Sequence, residues 1–269
     1  MKVILSRKGF DSVNGGIPSP IMPDGTLLSL PIPLENENAA YSDIGWSGMT
    51  YADILRQLNP KRQYEKCHLD PDIRDNRIRH VDGWRPAFGQ LGAAQGKLRN
   101  AKVECGDLIL FFGWFRKTEQ TKEGLRFASK NAQDFYNGND LQVIFGYMQI
   151  GEIITEKERI REFYWHPHST KIHTDDKNNV LYLPTEHLSF APALKGYGTL
   201  DYRTDRVLTK EGCTRATWNA YPFLMPEHVK AKVKNSAHGD GLYYAGIWQE
   251  MVVMESPGLM DWVKSIIVS

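Results

Sequence analysis

Apolar positions come in short bursts along this chain, and the bursts set the expected elements. Val3-Ile4-Leu5 is an apolar run ended by Ser6-Arg7-Lys8-Gly9, the pattern of a strand entering a loop. Residues 14–36 carry Gly15, Gly16, Pro18, Pro20, Pro23, Gly25, Pro31 and Pro33, which excludes a helix and predicts a turn-rich excursion. Thr50 is placed to cap a helix through Leu58, with Ile54, Leu55 and Leu58 on one face, and Asn59-Pro60 stops it. Residues 64–90 are polar and irregular. After the Gly106-Asp107 turn, Leu108 to Phe115 reads as a strand apolar on both faces. Asp140 to Ile154 reads as a long strand in which Gly146 and Gly151 mark bulges or corners. Val180 to Leu183 is a third strand, and Leu242 to Met254 is strand-like. Ser256-Pro257 opens a helix through Ile267, and a shorter helix is expected at 226–233. Many short strands with few helices predict an α+β fold: a curled mixed sheet or a small β-barrel with peripheral helices.

Composition narrows the class. At 269 residues the chain fits one domain, expected over 1–269. Lys and Arg total 33 against 32 Asp and Glu, so net charge gives no global argument for nucleic acid, and any basic surface is local. Cys67, Cys105 and Cys213 are odd in number and widely spaced, which speaks for reduced thiols in a cytoplasmic protein and against a disulfide framework or zinc site. MKVILSRKGF is too short in apolar residues for a secretory signal, and no window approaches 18 apolar residues, so no membrane span is expected.

Six constellations carry candidate chemistry, each with a plainer reading beside it. Ser6, Arg7 and Lys8, followed by Gly9, Gly15 and Gly16, would hold a phosphate, with Asp11 as general base or ribose partner. The spacing matches neither a Walker loop nor a dinucleotide fingerprint, and the plainer reading is a solvated basic turn. His68 and Asp70 in CHLDPD share a side of an extended segment, as an acid–base pair or a divalent-metal site; the plainer reading is an Asp-Pro turn. In GWRPAFGQ, Arg85 and Gln90 would stack on and read a base edge, or the segment plugs the core. In FFGWFR, Phe112 and Trp114 would line a base-sized pocket near Arg116, or simply pack the core. His166, His168 and His173 raise metal or acid–base options, but Pro167 and the missing fourth ligand favour a polar loop. Gln249-Glu250, between apolar neighbours, suggests a carboxylate facing an interior site, against an edge-strand charge. No GxSxG, HExxH or kinase motif is present.

Read together, SRKGFDSVNGGIPSPIMPDGTLLSLPIP, CHLDPDIR, GWRPAFGQLGAAQGKL, GDLILFFGWFR and VIFGYMQIGEII resemble the third type of nucleotide modification associated domain, found in bacteria and phages. The resemblance spans nearly the whole chain and implies a role in making or processing hypermodified DNA bases. It carries no catalytic assignment, so the site residues above rest on their chemistry. GDLILFFG and VIFGYMQIGEII are also similar to strands of PUA-like barrels, which hold a single base. The density of ionisable residues in the polar loops points to an enzyme acting on a nucleotide or modified DNA base, with other modification-cluster proteins as expected partners. A non-catalytic reader of modified bases and a scaffold subunit are the alternatives.

Overall fold

The structure is a computed structural model and describes residues 1–230, 236–238, 240–244 and 249–268. Its main sheet uses β1 (Val3–Arg7), β2 (Ser19–Ile21), β4 (Phe88–Gln90), β5 (Leu108–Thr121), β6 (Leu141–Ile154), β7 (Val180–Pro184) and β8 (Glu250–Val253); β3 (Lys66–His68) belongs to a smaller sheet. Along the main path the order is β8, β1, β5, β6, β7, β4, with Val229–Lys230 outside β8. β1 runs parallel to β5 and the other pairs on this path are antiparallel, so the sheet is mixed.

Both faces of this sheet are covered. Leu108, Leu110 and Phe112 join Val3, Leu5, Met251 and Val253 in one apolar cluster, closed by Leu259, Val263 and Ile266 of the C-terminal helix Leu259–Ile267. The alternate residues Ile109, Phe111 and Phe115 join Ile4, Phe88, Met148, Val180 and Val252 in another, which includes Leu98 from helix Gly92–Asn100. Burial on both faces is why 108–115 shows no polar alternation. The sheet curls strongly, into a half-barrel. Register shifts fall between Ile144 and Gly146 and between Ile150 and Glu152, as the two strand glycines predict. The pairings among described residues leave both ends of the path unjoined, so the curled mixed sheet describes the fold and a PUA-like barrel is not confirmed.

Thr50 caps helix Tyr51–Leu58 as expected. Its Oγ1 accepts the Asp53 N–H, and Asp53 Oδ2 accepts the Thr50 N–H, both at 3.0 Å. The short helix expected at 226–233 is a single 3-10 turn, Pro226–His228, followed by Val229–Lys230 pairing with β8. Pairing of Val229 with Val253 overrides the local helical pattern; residues 231–233 lie outside the described residues. Leu242 to Met254 divides into Gly241–Tyr243, in a small separate sheet, and β8, with 245–248 outside the described residues. Helix Gly92–Asn100 was not expected, because two glycines hide it. No described helix is long and apolar enough to cross a membrane.

One topological detail positions the site. β1 pairs with β5 up to Arg7 opposite Phe112, the chain leaves, and β2 returns to the same strand with Ser19 opposite Phe115. The departing backbone crosses close over Gly113, where a Cβ would lie 2.7 Å from the Lys8 carbonyl oxygen. We expect Gly113→Ala to cost about 2 kcal/mol, because a backbone atom cannot rotate away. Urea denaturation measures this; a neutral result would show that the crossing has slack.

Candidate functional site

The excursion after β1, the segment from β3 to Pro71, the β4 edge and the histidine loop meet at the mouth of the curled sheet. They enclose a cavity of about 250 Å³. Arg7, Lys8, Asp11, His68, Asp70 and Gln90 all line it, with His168, His173 and Gln249. Residues from the 6–11, 68–72 and 84–90 segments therefore face one hollow.

The other candidates lie elsewhere. Ser6 stands behind the cavity, its hydroxyl donating to Glu250 Oε1 at 3.0 Å in a buried contact. The Arg85 guanidinium sits over the Phe163 ring, 5.2 Å from its centroid. Phe112 is sealed in the core, edge-on to Trp218 at 5.2 Å, and reaches no ligand space. Trp114 lines a second cavity of about 340 Å³, beneath the Arg215 guanidinium at 3.8 Å. Arg116 is held by Asp140 at 2.6 Å and lines neither cavity. Alternation puts Phe112, Trp114 and Arg116 on one face of β5, but that face is core at the first, hollow at the second and rim at the third. Arg7 and Asp11 border both cavities.

The floor itself carries a charged network that continues behind it to Glu250. Lys8 Nζ is 3.2 Å from Asp70 Oδ2 and 3.8 Å from Glu250 Oε1, and 4.3 Å from the centroid of the Phe88 ring. Gln90, at the far end of the sheet path, donates to Glu250 Oε1 at 2.6 Å, so the curl brings β4 against β8. Its amide oxygen accepts the Leu91 N–H, so Gln90 braces the wall with both ends. Asp70 Oδ1 accepts the Gly89 N–H at 2.7 Å and lies 3.4 Å from His166 Nε2. Burial opposes ionisation of Asp70, but the Lys8 ammonium and His166 outweigh it and hold its carboxyl well below the usual range. Glu250 is shifted upward by burial, against the pull of Lys8, Ser6 and Gln90. The Asp11 carboxylate accepts N–H groups from Val13 and Asn14 and lies 3.9 Å from Arg7, so it is spent largely on its own turn. Asp72 turns away from the cavity into a pair with Arg77 at 2.7 Å.

The histidines form the other wall. Glu37 Oε1 accepts from His68 Nδ1 and His173 Nε2, each at 2.8 Å. Burial pushes the Glu37 carboxyl up, yet the bonds from His173 and His68 bring it down to about 2. His168 Nδ1 lies 2.5 Å from Asn179 Oδ1, and burial pushes its pKa well below the ordinary value, leaving it neutral. The rings of His68, His168 and His173 stand 5.2–5.3 Å apart. Two sets offer ligand atoms within 4.8 Å of one another: Glu37, His68 and His173, and His68, Asp70 and His168. Sequence reasoning set the histidine loop aside for want of a further ligand. Its partners, His68 and Glu37, lie about a hundred residues or more upstream, and nothing in local spacing signals Glu37. Imidazoles anchored by a carboxylate can transfer protons or ligate a metal.

These features define an α+β protein with a half-barrel sheet and a histidine- and carboxylate-lined cleft at its mouth. The chain belongs to the nucleotide modification associated domain 3 family, whose sequence profile matches residues 2–253. That family is associated with nucleotide modification. No curated protein and no solved structure matches the chain.

Proposed function

We propose that the chain is an enzyme that processes a nucleotide or nucleobase in this cleft. The observation that carries the reading is the meeting of sequence-distant polar segments around one hollow, with Arg7 at its junction with an aromatic second chamber. Arg7 takes the phosphate, since its guanidinium borders both chambers while Lys8 is occupied by Asp70 and Glu250. The base enters the second chamber against Trp114. That chamber is lined by Phe10, Trp114 and Tyr244, aromatic side chains against which a base can pack, and by Gln142. The reacting atoms then face His68, Asp70 and His168, which supply proton transfer or metal-assisted chemistry.

Arg7→Ala is expected to weaken binding of a nucleoside monophosphate by about 10- to 100-fold, the worth of one or two charge-assisted hydrogen bonds. Binding of the corresponding nucleoside should change little. Calorimetric titration of both ligands, paired with mass spectrometry of the incubated nucleotide and of modified DNA, reads binding and turnover together. Binding without product would return the reader alternative. Neither binding nor product with any of these ligands would end the proposal.

A further inference from the structure

The geometry points to a divalent transition-metal site at His68, His168 and Asp70, held from behind by Glu37 and Asn179. It deepens the functional reading above and rests on it only for placing the ion in the reaction cleft.

The first support is direction. His68, Asp70 and His168 line the cavity, whereas Glu37 and Asn179 do not. Of the two sets of convergent ligand atoms, this one faces the space a substrate would enter. Two imidazoles and one carboxylate make the donor set that suits Zn²⁺, Fe²⁺, Mn²⁺ or Co²⁺ with open positions left for water or substrate.

The second support is the proton arrangement. Asn179 Nδ2 donates to the His168 carbonyl oxygen at 3.0 Å, so its amide cannot be turned round. Asn179 Oδ1 therefore accepts, the proton of His168 sits on Nδ1, and Nε2 carries the free lone pair. Glu37 Oε1 fixes His68 in the same way, with the proton on Nδ1 and Nε2 bare. Among the described residues neither Nε2 has a hydrogen-bond partner. An oxygen acceptor behind each ligating histidine is the arrangement that orients metal-bound imidazoles.

Asp70 completes the set through Oδ2, because the Gly89 N–H and His166 hold Oδ1. Lys8 Nζ now sits on Oδ2, but Glu250 Oε1 is 3.8 Å from the same ammonium and gives it a second anion when the ion arrives. Ligand atoms within 4.8 Å need to close to about 3 Å for bonds near 2.1 Å.

The test uses the full chain, stripped with a chelator and titrated with Co²⁺. We expect one ion per chain and the visible absorption of coordinated cobalt. Two exchangeable, hyperfine-shifted imidazole N–H resonances should appear in the proton spectrum, one from each protected Nδ1–H. Substitution of an outer partner, Asn179→Ala, should weaken binding about 10- to 100-fold, and loss of a ligand, His68→Gln, by at least about 100-fold. Sub-stoichiometric uptake, fewer than two such resonances, or unchanged affinity in a folded His68→Gln would overturn the site. If either variant fails to fold, the wild-type resonances decide. Nucleoside monophosphate binding to the stripped chain is measured in parallel. Cobalt failure with nucleotide binding kept sinks the metal alone, and cobalt uptake without nucleotide binding or turnover sinks the functional reading alone.

Discussion

Replacing Lys8 with methionine, Lys8→Met, is expected to lower the unfolding free energy by about 3–5 kcal/mol, the cost of stripping one partner from a buried ion pair. The side chains of Lys8, Asp70 and Glu250 are 10%, 2% and 0% exposed, so water from the cavity replaces the ammonium only in part. Methionine keeps the contact with Phe88 but leaves the Asp70 carboxylate with only the Gly89 N–H and His166. The double variant Lys8→Met with Asp70→Asn should recover much of the loss, since the uncompensated charge goes too. Urea denaturation of the three proteins gives the coupling. A Lys8→Met loss below about 1 kcal/mol would mean that the network is solvated after all.

Acid should weaken the metal-free chain through Glu37. Its folded pKa of about 2 lies below the ordinary 4.5. A carboxyl depressed in this way adds stability that is full above pH 4.5 and is lost as pH falls toward 2. The shift corresponds to about 2–3 kcal/mol after allowing for screening by water entering the cleft. Glu37→Gln keeps an oxygen for His68 and His173 and removes the titration. Its stability should therefore fall less steeply than that of wild type between about pH 4.5 and 2. Parallel slopes in the two proteins would show that the imidazoles do not hold Glu37 ionised.

Where one local rule dominates, the chain was legible before its fold was known. Thr50 announced a capped helix, and Gly146 and Gly151 announced the bulges, because caps and bulges are decided by neighbouring residues. The polar segments around Arg7, His68 and Gln90 could be picked out, since ionisable groups among glycines and prolines stand out from a core pattern. Phe112 could not be separated from Trp114, because strand alternation gives both the same face and only distant packing says where that face stops being core. Glu37 was invisible for a related reason. It sits in a polar stretch, ENEN, and only the fold carries His68 and His173 to its carboxylate.

The chain leaves β5 at Lys8 and rejoins it at Ser19, only three positions further along the same strand. Those anchors stand roughly 10 Å apart, so the intervening residues form a cassette whose length is uncoupled from the sheet. Closing a somewhat longer span adds only about half a kcal/mol per doubling. Grafting alternative spans between these two attachment points would reshape the entrance for larger or smaller guests and keep the strand pairing on either side, provided Phe10 retains its bond to Leu30 and Gly15 its bond from Tyr64.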